Sequence, residues 1–139
     1  MQVSLDHNSG AYAIRSYTPG QITISTPVHR MKPAHHKENL TTENVYSSII
    51  VAPDRIIKDW PPQFLNNLTK EYLNLIVDLD PELILLGTGA KHEFPDVELT
   101  AHLWDSHIGV EIMDTAAACR TFNILVNEGR YVVAGLIIN

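Results

Sequence analysis

Between residues 45 and 139 the hydrophobic pattern keeps switching period, and this alternation constrains the fold more than any other feature of the chain. Residues 45–52 read as a strand that ends at Pro53. From Pro61 onward Phe64, Leu65, Leu68, Tyr72, Leu75, Ile76 and Leu79 recur at helical spacing. The spacing predicts a helix from Pro61 to the stop at Asp80-Pro81. Residues 83–86 are apolar throughout, as in a strand covered on both faces. A helix is expected over residues 95–107, a strand over 109–113, a helix opened by the cap Asp114 and closed by Gly129, and a last strand over 131–138. Strands that alternate with helices in this way argue for a largely parallel sheet with helices packed on it.

The first third reads differently. Residues 21–25 alternate apolar and polar with period two, and Thr18-Pro19-Gly20 before them is a turn signal. Residues 12–17 then supply the other arm of a hairpin. Residues 32–44 are polar and aperiodic, so a loop is expected there. The fold class is therefore α/β: a mostly parallel sheet with helices packed on it, plus an N-terminal antiparallel β element. At 139 residues one domain spanning 1–139 is expected, large enough to bury a sizeable core.

Charge and composition narrow the function classes. The net charge is −6, and residues 93–128 hold seven acids against Arg120 alone. No Lys/Arg stripe is present, so nucleic acid is not an expected partner. No run approaches the roughly 20 apolar residues of a membrane span, and the opening MQVSLDHNSG lacks the features of a signal peptide. The lone Cys119 cannot form an internal disulfide. Together these point to a cytoplasmic-type domain without membrane insertion.

Two loops lie where open α/β sheets usually bind ligands, beyond the carboxyl ends of strands. Gly87-Thr88-Gly89 follows one strand and Asp114-Thr115 follows another. They can form a shallow pocket of backbone N–H groups with two hydroxyls. Equally, the glycines can serve a tight turn while Asp114 only caps a helix, since the GTG lacks the lysine of a P-loop and the length of a dinucleotide motif. On a helical wheel Ala118, Cys119, Phe122, Leu125 and Val126 share one face, and Arg120 lies opposite with Asn123 and Ile124. That outer face suits docking, because Arg is favoured at interfaces; alternatively Arg120 pairs with a nearby acid. Cys119 reads as a small core hydrophobe. Neither Asp105-Ser106-His107 nor the pair His102 and His107 has the arrangement of a triad or a metal site, and His29, His35 and His36 lack recognised ligand spacing. No catalytic residue, cofactor or metal is assigned.

The stretch from Gly109 to Arg130, with its MDT, ACRT and N-x-L pieces, resembles the core signature of the Mth-like domain family. The apolar strand leading into Gly87-Thr88-Gly89, the block from Tyr46 to Val51 with Trp60 downstream, and Gly20, Ile22 and Ile24 resemble its other blocks, over about residues 12–139. Phe122 stands where the family often has tyrosine, and Gly135 where alanine is usual. The resemblance implies a three-layer α/β fold with one antiparallel strand in its central sheet. It carries over no catalytic residues, and it includes an assembly factor of respiratory complex I. A mitochondrial import segment is not recognised, which favours a bacterial cytosolic member.

The expected function is thus a non-enzymatic interaction or assembly factor with protein partners, for complex I or another membrane complex. The alternative is a small polar-ligand or anion binder, or an unrecognised enzyme, using Gly87, Thr88, Gly89, Asp114 and Thr115. Homo-oligomerisation is left open by the sequence.

Overall fold

The computed structural model describes residues 10–27 and 41–139. Most of the loop expected over 32–44, and the histidines at 29, 35 and 36, lie outside the described residues. Its architecture is three-layered, as the family resemblance implies. The central sheet contains β4 (Ile49–Ala52), β5 (Arg55–Ile57), β6 (Leu83–Gly87), β7 (Gly109–Met113) and β8 (Val132–Leu136), in the order β5-β4-β8-β6-β7. Strand β6 pairs in parallel with both β7 and β8, whereas β4 runs antiparallel to β5 and β8. Four of the five strands therefore point one way, and β4 is the reversed one.

Every residue of β8 is buried, which explains why it is apolar on both faces. Val132, Ala134, Leu136 and Ile138 join α3 (Thr115–Asn127) on one side. Val133 and Ile137 join α1 (Lys70–Val77) and α2 (Val97–Trp104) on the other. Gly135 points to that second side, where Trp60 fills the space a side chain would take. Burying Leu73 and Ile76 of α1 against this face stabilises the fold by about 1.5–3 kcal/mol per side chain. The two outer helices are tied by His102 and Asn74, whose Nε2 and Oδ1 lie 2.7 Å apart.

The N-terminal element is an antiparallel sheet of β1 (Ala13–Thr18), β2 (Gln21–Ser25) and β3 (Thr42–Val45), lying on the α3 side. The expected hairpin is present, turned by Pro19-Gly20, and the Gly20 N–H donates to the Ile138 carbonyl at 2.7 Å. The run 45–52 is not one strand. It is split between β3 and β4 in different sheets, with an exposed crossing at Tyr46. Thr42, Glu43 and Asn44 are polar yet become strand because β2 offers them a hydrogen-bonding edge, an effect that periodicity does not register. Strand β5 was too short to read from sequence. It forms because the turn at Pro53-Asp54 folds Arg55 back onto Ala52.

The helix expected from Pro61 begins only at Lys70, after a single 3-10 turn at Leu65–Asn67. Thr69 starts it by accepting the Tyr72 N–H on its side-chain oxygen at 3.2 Å. Of the preceding apolar residues, Leu65 and Leu68 instead join the core around Trp60, whose indole N–H donates to the Tyr72 carbonyl at 3.1 Å. Likewise α2 is shorter than the expected 95–107. Helix α3 matches its signals closely. The Asp114 carboxylate accepts the Ala117 N–H at 2.8 Å, and the Gly129 and Arg130 N–H groups return to the Val126 and Leu125 carbonyls, a Schellman ending with Gly129 at φ +82.

Candidate functional site

The loops after β6 and β7 meet at the carboxyl edge of the parallel strands, and the backbone of β8 joins them. Thr115 is fully buried there. Its hydroxyl accepts the Gly89 N–H at 2.8 Å and donates to the Ile137 carbonyl at 2.5 Å. The Thr115 N–H donates in turn to the Gly89 carbonyl at 2.9 Å, and the Gly87 carbonyl accepts the Ile137 N–H at 3.1 Å. Thr88 donates its hydroxyl to the Lys91 carbonyl at 2.6 Å and accepts the Glu93 N–H at 3.2 Å. Gly87, Thr88, Gly89, Asp114 and Thr115 are thus brought together, but their polar groups bond to the chain itself. The arrangement stitches three strand ends to the start of α3.

Beside this stitch, on the α1/α2 side, lies an open groove of about 950 Å³. Thr88 and Asn139 lie at its strand-end side, Leu68 and Leu99 are among its apolar residues, and Phe64 and Phe94 are exposed along it. The groove is not legible from sequence, because helical spacing places Phe64 on the apolar face of a longer helix. His92 packs edge-on against Phe94, with ring centroids 4.8 Å apart.

The outer face of α3 is arranged differently from the helical-wheel expectation. Ala118, Cys119, Phe122 and Val126 are buried and Ile124 is 57% exposed, as the wheel implies. Asn123, however, faces β1: its side chain accepts the Ile14 N–H at 2.9 Å and donates to the Ile14 carbonyl at 2.8 Å. Strand β1 therefore lies along one flank of α3. The seam between them is a crevice of about 230 Å³ lined by Arg15, Ser16 and Tyr17 of β1 and by Ala116, Cys119 and Arg120 of α3. Arg15 and Arg120 are both exposed. The ion pairs among the described residues join Arg55 to Asp54, Lys58 to Glu43 and Arg130 to Glu82, and Arg120 takes part in none of them. Burial pushes the Cys119 thiol up to about 12, against a smaller opposing pull from Arg120, so the thiol is neutral near pH 7. Burial also raises the Tyr17 phenol, whose hydroxyl donates to the Ile138 carbonyl at 3.2 Å. Among the described residues no three His, Cys, Asp or Glu side chains converge as a metal site would require.

These features define a three-layer α/β domain whose strand-end loops are closed by its own backbone and whose third helix carries a partly uncovered face. The family described as "Protein of unknown function (DUF498/DUF598)" matches residues 14–137, and this chain belongs to it. A Bordetella pertussis protein, solved by solution NMR and described as an Mth-like domain, is 25% identical with a TM-score of 0.70, covering 99% of this chain and 92% of that one. The resemblance to Mth-like domains therefore holds in both sequence and fold. The zebrafish NADH dehydrogenase (ubiquinone) 1 alpha subcomplex assembly factor 3 is 36% identical over 101 residues, which is 71% of this chain and 58% of that protein. A 13 kDa major membrane protein of Francisella tularensis is 38% identical over 68 residues, 49% of this chain and 55% of that protein. The chain spans just over half the length of these two relatives. No helix among the described residues is long and apolar enough to cross a membrane.

Proposed function

We propose that this chain is a non-enzymatic, cytoplasmic interaction protein that assists assembly of a membrane complex, and that it docks through α3 around Arg120 and Ile124. The name of the zebrafish relative makes respiratory complex I the first complex to test. The carrying observation is a contrast in how polar groups are used. At the strand-end loops the hydroxyls of Thr88 and Thr115 bond to the chain's own backbone. On α3, Arg120 is exposed and outside every ion pair of the described residues, one helical turn from the exposed Ile124. A cation beside an uncovered aliphatic side chain is the composition of a docking patch.

The test is deletion and complementation in the native organism, with complex I assembly read on native gels. Deletion should deplete assembled complex I, the wild-type chain should restore it, and the Arg120→Glu/Ile124→Asp double variant should not. Both positions are exposed, so the variant should unfold within about 0.5 kcal/mol of wild type. Intact complex I after deletion would refute the choice of complex; full rescue by the double variant would refute the surface.

The groove favours a second reading, a binder of small polar ligands or anions at the Thr88 side of the stitched loops. Its volume of about 950 Å³ is in the size range of ligand sites. A thermal-shift screen with nucleotides, phosphates and carboxylates tests it, since a ligand at 100 times its Kd adds about 2.7 kcal/mol. A flat response across the set would remove this reading.

A further inference from the structure

We infer that Arg15 and Arg120 together form a receptor for a carboxylate side chain of a partner protein, with Ile124 taking an apolar side chain next to it. The inference rests on the docking face proposed above and adds to it the partner's chemistry and a second arginine from the far end of the sequence.

Strand β1 is irregular where Arg15 stands. Ile14 pairs with Ile24 and Ser16 with Thr23, so the register shifts between Ile14 and Ser16 and leaves Arg15 outside the ladder. A bulge of this kind re-aims a side chain, and such bulges concentrate beside functional sites. The segment is also held in place. Asn123 bonds both the N–H and the carbonyl of Ile14, the residue before the bulge, and lies one helical turn beyond Arg120 on α3. One side chain thereby fixes the bulged strand to the helix that carries Arg120, and both arginines line the resulting crevice.

The charge arrangement points to an acidic occupant. The chain has 16 acids against 10 Lys and Arg, yet neither of these arginines is in an ion pair of the described residues. Two like charges on one crevice repel each other, and an anion between them removes that repulsion. Asp114 caps α3 and its charge reaches Tyr17 and Cys119, but it does not line the crevice; the lining itself holds two arginines, a neutral thiol and no carboxylate. Guanidinium groups bind carboxylates through paired N–H donors, which gives the pair directional preference. At about 230 Å³ the crevice is below the volume of a usual small-molecule site and suits one side-chain headgroup. The exposed Ile124 beside it selects a polypeptide over a free inorganic anion, which would leave that side chain unused.

The experiment selects a displayed library of random twelve-residue peptides on the immobilised full-length chain. Enrichment of sequences with Asp or Glu next to an apolar residue is expected. A synthesised winner should bind more weakly as salt rises, and about ten- to a hundredfold more weakly to Arg15→Glu or Arg120→Glu. Arg15→Lys should fall between, because it keeps the charge and loses the fork. The thermal unfolding of Arg15→Glu should match wild type, since the residue is exposed. Absence of acidic enrichment, or binding indifferent to Arg15→Glu, overturns the inference. Displacement by inorganic phosphate with no apolar requirement overturns it in favour of a simple anion site. In the complementation assay, rescue by Arg15→Glu alongside failure of the Arg120/Ile124 variant keeps the docking face and removes the two-arginine receptor. If deletion leaves complex I intact, the assembly reading fails and the peptide selection still decides the receptor.

Discussion

Asn123 and Ile14 are 109 residues apart in sequence, and the side-chain amide of one holds both backbone polar groups of the other. The 2.9 and 2.8 Å bonds make the amide a substitute for one rung of a β ladder, at a place where β1 has a helix rather than a strand for its neighbour. This contact turns the N-terminal sheet from an appendage into part of the α3 layer.

Replacing Asn123 by alanine should therefore destabilise the chain by about 1–3 kcal/mol, because it strands a backbone donor and acceptor in a partly buried seam. Urea unfolding gives the figure. Amide exchange should rise mainly in β1, and exchange that rises uniformly, or stability that does not change, would contradict the role assigned to this contact.

Thr115→Val should cost about 2–5 kcal/mol, since it leaves the buried Gly89 N–H and Ile137 carbonyl without the hydroxyl that joins them. Thr115→Ser keeps the hydroxyl and should recover most of the loss. If valine and serine behave alike, the stitch contributes packing and not hydrogen bonding.

At Gly135 a methyl group would lie 2.8 Å from the Trp60 ring and 2.6 Å from Ile76 Cδ1. The Ile76 end can rotate away, but the indole is held by its bond to Tyr72. Gly135→Ala should cost about 1–3 kcal/mol by overpacking. In a Trp104→Phe background, its effect on Trp60 should appear as a shift in emission. Wild-type stability and emission together would show that Trp60 has room to move.

Cys119 should resist alkylation by iodoacetamide in the folded chain at pH 8 and react once urea unfolds it. Its folded pKa is raised, so between about 9 and 12 the unfolded state loses a proton that the folded state keeps. Stability is full below that window and falls as pH rises through it. Tyr17 and Tyr131, also raised, add to the fall in the same direction. Cys119→Ala should flatten part of the alkaline decline in a pH series of urea midpoints; an unchanged slope would contradict the burial of the thiol.

The elements legible in the sequence were those whose cause is local. The cap and Schellman ending of α3 depend on Asp114 and Gly129 themselves, and both were readable. The split of the 45–52 run was not, because whether Val45 belongs with Ile49 depends on which sheet edge each one meets. The late start of α1 escaped for a related reason. Phe64, Leu65 and Leu68 have helical spacing, but the buried Trp60 and the cap at Thr69 decide how that segment lies.

The candidate site divides along the same line. Arg120 and Ile124 could be named because the buried positions of α3 define its outer face by helical period alone. Arg15 could not, since an exposed arginine on an edge strand carries no local mark. The sequence by itself determined the alternation of strand and helix and, for α3, its cap, its ending and its buried face, all of which follow from spacing and local chemistry. The tertiary structure decided the reversed strand β4, the closing of the Gly87–Gly89 loop by Thr115, and the placing of Arg15 and Arg120 on one crevice through the Asn123–Ile14 bonds. Each of these depends on groups far apart in the chain finding the same hydrogen-bonding edge, and no short window of sequence contains both partners.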